Sequence, residues 1–181
     1  MKKSVFIAEK PSVAQEFAKA LKVKTTRHDG YLESENTIVT WCVGHLVTMS
    51  YPEVYDIKYK RWTLETLPFL PGEFKYEVIP AVRKQFEIVS GLLNRADVET
   101  IYVCTDSGRE GEYIYRLVAQ MAGVKGKKEK RVWIDSQTEE EIIRGIKEAK
   151  DLSAYDNLSA SAYLRAKEDY LMGINFSRIL T

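Results

Sequence analysis

Val103-Cys104-Thr105-Asp106-Ser107-Gly108-Arg109-Glu110-Gly111-Glu112 joins an apolar run to a helical pattern, and its reading decides the fold. Ile101 to Cys104 has the character of a short buried strand. From Ile114 the apolar residues Ile114, Leu117, Val118 and Met121 recur at i, i+3, i+4 and i+7, one face of a helix. Asp106 therefore falls just past the carboxyl end of a strand, the edge of an open α/β sheet where ligands bind. Gly108 and Gly111 let the backbone turn tightly, while Glu110 and Glu112 fall in the first helical turn, where the dipole favours negative charge. Two readings compete. In one, Asp106 caps the helix and the glutamates complement its dipole; in the other, the three carboxylates are a site. Neither Gly-x-x-x-x-Gly-Lys-Ser/Thr nor Gly-x-Gly-x-x-Gly is present, so this is not a standard phosphate or dinucleotide loop. So acidic a loop repels phosphate unless a divalent cation lies between them, which points to Mg²⁺ on carboxylate oxygens.

A second junction of the same kind lies at the start of the chain. Val5-Phe6-Ile7-Ala8 is an apolar run ending in Glu9-Lys10-Pro11-Ser12, and Val13, Phe17, Ala20 and Leu21 then form a helical stripe. Ser12 and Gln15 have capping-box spacing, which predicts a helix starting at Ser12. Glu9 and Lys10 are left at a strand's carboxyl end, and parallel pairing of the two strands would bring Glu9 near Asp106. Taken alone, Glu9-Lys10 reads first as an exposed ion pair in a loop, and it is the second strand end of the same kind that shifts the balance toward a site.

The remaining chain alternates strands and helices. Ile38 to Val43 reads as a strand, and residues 28 to 80, with four of the five prolines, read as an elaborate insertion in the same domain. Its Tyr51, Tyr55, Tyr59, Trp62, Phe69, Phe74 and Tyr76 can stack on bases or pack the insertion onto the sheet. His45 is a candidate phosphate or base contact. Val82, Phe86, Val89 and Leu93 mark a helix, and the helix after Asp106 should end near Gly123. Lys125 to Arg131 reads as a solvated basic loop, Val132-Trp133-Ile134 as a strand, and Thr138 with Glu141 as a capping box. Near Asp151 a last helix begins, with Tyr163, Leu164, Ala166, Tyr170 and Leu171 as its apolar stripe and Arg165, Glu168 and Asp169 opposite. The alternation predicts an α/β fold, a mainly parallel sheet with helices on both faces.

Composition sets further bounds. In 181 residues, 45% apolar and 29% charged, there is room for one well-packed domain with an appendage. A net charge of +1 supplies no bulk attraction for nucleic acid, so affinity for DNA must come from local patches. Cys42 and Cys104 lack metal-ligand spacing and read as buried thiols of a reduced compartment. No signal-peptide core or membrane-length apolar stretch is visible, and the expected location is cytoplasmic.

Five blocks in order resemble the bacterial type IA topoisomerases of the topoisomerase III kind, from end to end of the chain. They are Phe6-Ile7-Ala8-Glu9-Lys10-Pro11-Ser12; Trp41-Cys42-Val43-Gly44-His45-Leu46; Tyr55-Asp56 with Tyr59 and Arg61-Trp62; Asp106 to Gly111; and Arg165-Ala166 with Asp169, Gly173, Asn175, Arg178 and Thr181. The resemblance implies a Rossmann-like Toprim domain over residues 1–152 and the helical start of the next domain over 153–181, truncated at Thr181. It implies an enzyme that cuts single-stranded segments of DNA through a 5′-phosphotyrosine, with the tyrosine supplied by a later domain, so that this chain alone is inactive. Glu9 would be a metal ligand and acid/base group, and Lys10 would neutralise the scissile phosphate. Asp106 and Glu110 would hold Mg²⁺ with Glu9; Trp62, Arg165, Tyr170 and Arg178 would touch DNA. The remaining topoisomerase domains would be its partners, and no membrane is implied. One departure stands out: the family reads Asp-x-Asp-x-x-Glu here, and Gly108 replaces the second aspartate, which predicts weaker Mg²⁺ binding. The rival readings are a metal-poor DNA-binding module and another Toprim enzyme, a primase or nuclease.

Overall fold

A computed structural model describes residues 1–181. The first strand, β1 (Lys3–Ala8), leads into α1 (Pro11–Leu21). Helix α1 is capped at Lys10 with Pro11 in its first turn and without a side-chain cap, so Ser12 lies inside the helix and the expected Ser12/Gln15 capping box does not form. Proline fits there because its missing N–H is one that no helical carbonyl would accept. Strands β2 (Thr26–His28), β3 (Tyr31–Glu33) and β4 (Thr37–Trp41) follow, then a separate hairpin of β5 (Val47–Met49) and β6 (Tyr76–Val78). Since β3 and β4 belong to the main sheet, the irregular part of the expected insertion begins only after Trp41.

Helix α2 (Arg83–Leu93) delivers the chain to β7 (Val98–Cys104), and α3 (Arg109–Ala122) ends on a left-handed Gly123 as expected. The next strand, β8, is Lys128–Arg131 rather than Val132–Ile134. The basic run is thus a sheet strand, not a solvated loop. It pairs through its backbone, which the side-chain pattern does not report. Helix α4 (Glu139–Lys147) starts as predicted: the Thr138 hydroxyl accepts from the Glu141 N–H. A short strand, β9 (Lys150–Asp151), precedes the long α5 (Asp156–Leu180).

The seven-stranded sheet runs β2-β3-β4-β1-β7-β8-β9, with β1 parallel to both β4 and β7, and β7 parallel to β8. Alternation along β1 sends Val5 and Ile7 to one face and Phe6 and Ala8 to the other. The first face is covered by α2, α3 and the start of α5, the second by α1 and α4. The expected mainly parallel sheet with helices on both faces is what forms.

Between the two hairpin strands, Tyr55, Tyr59, Phe69 and Phe74 of the irregular segment pack inward, while Tyr51 and Trp62 are exposed. Phe69 is 1% exposed and meets the ring edges of Tyr55, Tyr59 and Tyr170. The Asn175 side chain ties the same segment to α5, accepting from the Phe69 N–H at 2.6 Å and donating to the Phe69 carbonyl at 3.0 Å. Leu164, expected in the buried stripe of α5, is instead 68% exposed. Tyr163 and Ala166 do face the core.

Candidate functional site

Ala8 pairs with Cys104, so Glu9 leaves the sheet beside Thr105-Asp106. Glu9 is 8% exposed, and its Oε1 accepts the Asp106 N–H at 3.2 Å. Burial first, and the Asp106 charge second, raise the Glu9 pKa above the usual carboxylate range, with the Asp106 N–H and Lys10 pulling the other way. Asp106 is exposed and does not cap α3, whose N-cap is Gly108 with no side-chain bond. That disposes of the capping reading for Asp106 and leaves its carboxylate open to a ligand. The pair sits where chain order reverses across β1, with β4 on one side and β7 on the other, the position at which doubly wound sheets bind ligands. The amino ends of α1 and α3 both begin here, each a source of unpaired N–H groups.

Two glycines shape the loop in different ways. Gly108 has φ 146° and ψ −179°, a conformation that L side chains rarely adopt. Gly111 is required by contact: a Cβ there would lie 1.8 Å from the Asp106 carbonyl oxygen. Beneath them lies a residue the sequence reading missed. Arg131, fully buried, donates from Nη1 to the carbonyls of Val103 (3.0 Å) and Thr105 (2.7 Å) and from Nη2 to that of Asp106 (2.7 Å). Its Nε lies 3.0 Å from Oε2 of Glu112, an ion pair not aligned as a hydrogen bond. Glu112, also fully buried, receives the Arg116 Nε on its other oxygen at 2.8 Å. Its charge therefore serves a buried ion network as well as the helix dipole. The only sequence signal was a glutamate in an otherwise apolar-facing helix turn.

Glu110 does not join Glu9 and Asp106. It is turned toward His45 and bonded to its Nε2, and no group of three His, Cys, Asp or Glu side chains is disposed to hold a metal ion. His45 and Glu110, with Arg109, Tyr113, Arg165 and Asp169, line a cavity of about 390 Å³ between α3 and α5. The donor set that fits Mg²⁺ is thus Glu9 and Asp106, since Mg²⁺ is commonly held by one or two carboxylates together with waters and substrate phosphates. The mutual repulsion of these two carboxylates is what a divalent cation would relieve.

The residues expected to touch DNA lie on α5 and, for Trp62, in the irregular segment between β5 and β6. Arg165 and Trp62 are exposed. Tyr170 is half-buried and donates its hydroxyl to the Ser50 carbonyl at 2.6 Å. Arg178 is buried, its guanidinium 5.4 Å from the Trp62 ring centre, and Nε and Nη1 have no hydrogen-bond partner. Lys10 is exposed at the mouth of the Glu9 site. Cys42 and Cys104 are free buried thiols, the first pushed up to about 12 by burial and then by the charge of Glu9.

A doubly wound α/β domain with paired carboxylates at the carboxyl ends of adjacent parallel strands is the class that fold and site define. The chain belongs to the Toprim domain family, whose model matches residues 4–136. It is 49% identical over 181 residues, all of this chain and 25% of the relative, to a DNA topoisomerase 3 of Bacillus thuringiensis. It is 44% identical over 179 residues to a DNA topoisomerase 3 of Staphylococcus epidermidis, again covering 25% of that protein. It therefore spans about a quarter of the length of these curated relatives. Among solved structures, full-length topoisomerase I from Thermotoga maritima shares the fold over 82% of this chain and 21% of its own, with TM-score 0.53 and 20% identity. No helix is long and apolar enough to cross a membrane.

Proposed function

We propose that this chain is the Toprim part of a type IA DNA topoisomerase, a cytoplasmic enzyme that cleaves and rejoins single DNA strands through a 5′-phosphotyrosine. In this reading residues 1–152 are the Toprim domain, 153–181 begin the next domain, and the nucleophilic tyrosine comes from elsewhere in a longer protein. The observation that carries it is the Glu9–Asp106 pair, a buried acid of raised pKa against an open carboxylate at the sheet edge. Glu9, whose pKa is raised by burial and by the Asp106 charge, is suited to exchange a proton with the departing 3′-oxygen and to take it back on religation. Lys10 neutralises the scissile phosphate from the rim. Mg²⁺, held by Glu9 and Asp106, would supply positive charge beside that phosphate. Arg178 lacks a counter-anion of its own, and a DNA phosphate is the natural one, with Trp62 as the stacking surface beside it. Arg165 offers a further contact from the cavity wall.

Relatedness beyond residue 136, through α5, favours a topoisomerase over a primase or nuclease. A metal-free DNA-binding module is favoured by one observation, the engagement of Glu110 by His45.

Incubated with end-labelled single-stranded DNA and quenched with denaturant, the chain should give no covalent adduct; an adduct would mean that one of its own side chains is a nucleophile. Its binding to single-stranded DNA should weaken with salt along a shallow slope, since few phosphates are neutralised. A Mg²⁺ titration followed by backbone amide shifts separates the metal and metal-free readings. Weak saturable binding is expected at Glu9 and Asp106, nearly abolished by Asp106→Asn. Gly108→Asp adds an oxygen ligand but forces an L residue to φ 146°, a strain of about 1–3 kcal/mol. It should therefore lower thermal stability while tightening Mg²⁺ only modestly. Indifference of all three proteins to Mg²⁺ would leave the binding-module reading standing.

A further inference from the structure

We propose that Arg131 is the positioning residue of the Asp106 loop, the group that fixes this carboxylate against Glu9; the inference rests on reading those two residues as the magnesium pair. Strand β8 runs beside β7 only as far as Arg131, which pairs with Val103, and one further bond follows, from the Val132 N–H to the Val103 carbonyl at 3.0 Å. Beyond it, β7 continues into Thr105 and Asp106 with no neighbouring strand on that side. The Arg131 guanidinium takes the place of the missing strand. Its two terminal nitrogens reach three carbonyls of the strand end, those of Val103, Thr105 and Asp106, at 3.0, 2.7 and 2.7 Å.

Holding the Thr105 carbonyl at 2.7 Å fixes the peptide plane that carries the Asp106 N–H, and that N–H is the one Glu9 Oε1 accepts. The loop is held from two further sides: the Thr105 hydroxyl donates to the Gly111 carbonyl at 2.7 Å, and the Ser107 hydroxyl accepts the Ile134 N–H at 2.9 Å. Only Arg131 binds the Asp106 carbonyl, while the Asp106 N–H goes to Glu9. Arginine suits the task because its planar fork addresses several acceptors in one fixed geometry, where the single ammonium of lysine cannot.

Arg131 is in turn held by Glu112, and Glu112 by Arg116. Arg116 reaches the Leu152 carbonyl at 2.9 Å and the Asp156 carboxylate at 3.0 Å, where α5 begins. A continuous polar path thus links the magnesium pair to the helix that carries Arg165, Tyr170 and Arg178.

The test compares the 181-residue chain with Arg131→Lys and with Val89→Ala, a truncation in the buried face of α2 remote from the loop. Thermal unfolding and a Mg²⁺ titration read by amide shifts are recorded for each. Arg131→Lys should weaken Mg²⁺ by roughly tenfold to a hundredfold, the range seen when groups that orient metal ligands are lost. It should also displace the Asp106 and Ser107 amide signals without metal. Val89→Ala should lower stability and leave Mg²⁺ affinity alone, so general destabilisation is separable from positioning. Arg131→Lys binding Mg²⁺ like the parent would overturn the proposal. If Arg131→Lys does not fold, the parent chain decides: Arg131 Nη–H signals should be resolved, held by their carbonyls, and should move on Mg²⁺ saturation, whereas averaged or unmoved signals count against it. If the parent binds no Mg²⁺ at all, the metal reading fails on its own account. Arg131 is then judged by the Asp106 amide signal alone, whose displacement in Arg131→Lys supports positioning and whose constancy refutes it.

Discussion

Gly111→Ala is expected to disrupt the domain and its carboxylate pair together, lowering the unfolding temperature by about 10 °C. The added Cβ would lie 1.8 Å from the Asp106 carbonyl oxygen and 2.7 Å from its carbonyl carbon. These are backbone atoms, so no rotamer change can relieve the contact. Either α3 moves out or the Asp106 peptide moves away from Arg131 and Glu9. Overpacking that side chains can absorb costs about 1–3 kcal/mol, and a clash with fixed backbone belongs at or beyond the top of that range. For a chain of this size each kcal/mol is worth roughly 2–4 °C. A matched control is available in Gly91→Ala: Gly91 lies inside α2 with nothing within 4 Å of the added Cβ, and alanine there should stabilise by about 0.5–1 kcal/mol. Calorimetry of the two variants reads both signs, and a Gly111→Ala protein melting with the parent would show that the loop is looser than its contacts imply.

The contrast between these glycines shows what the sequence could and could not disclose. That a turn joined β7 to α3 was legible from the apolar run ending at Cys104 and the 3.6-residue period from Ile114, because both signals come from side chains that must be buried. The position of Glu9 opposite Asp106 followed once two such junctions were placed on parallel strands. Gly111 was legible only as a flexible residue, since the contact that demands it is made by a backbone carbonyl. Strand β8 was misplaced by four residues for a related reason. Lys128, Glu129 and Lys130 show no apolar alternation, and the strand is recognised by backbone pairing with Thr100 to Val103. That Glu110 would hold the metal beside Asp106 was implied by the resemblance to the topoisomerase family. The helix turn carries Glu110 to the α5 side instead, where His45 receives it. The α1 cap failed because Ser12 and Pro11 compete for the helix start, and the fixed φ of proline suits its first turn.

Glu112→Ala should be the most destabilising change that leaves the backbone unstrained, by about 3–5 kcal/mol, the cost of breaking a buried ion pair by removing one partner. The cause is what remains. Arg131 would keep its carbonyl partners, yet its charge, fully buried, would lose the only carboxylate paired with it. Arg116, 20% exposed and still beside Asp156, can be rescued by water and contributes less to the loss. Glu112→Gln separates the two effects, since it keeps the shape and a hydrogen-bond acceptor for Arg116 but not the charge beside Arg131. If charge compensation dominates, Gln should recover little of the loss; if the Arg116 bond and packing dominate, Gln should recover most of it. Removing the cation as well, in Glu112→Leu/Arg131→Met, should fall short of the parent despite its apolar packing. The carbonyls of Thr105 and Asp106 would lose the guanidinium, and a buried unpaired acceptor costs about 1–3 kcal/mol. Chemical denaturation of these variants gives the free energies directly. A double variant as stable as the parent would mean that those carbonyls find other partners and that Arg131 is dispensable to the fold, leaving its role, if any, to the site alone.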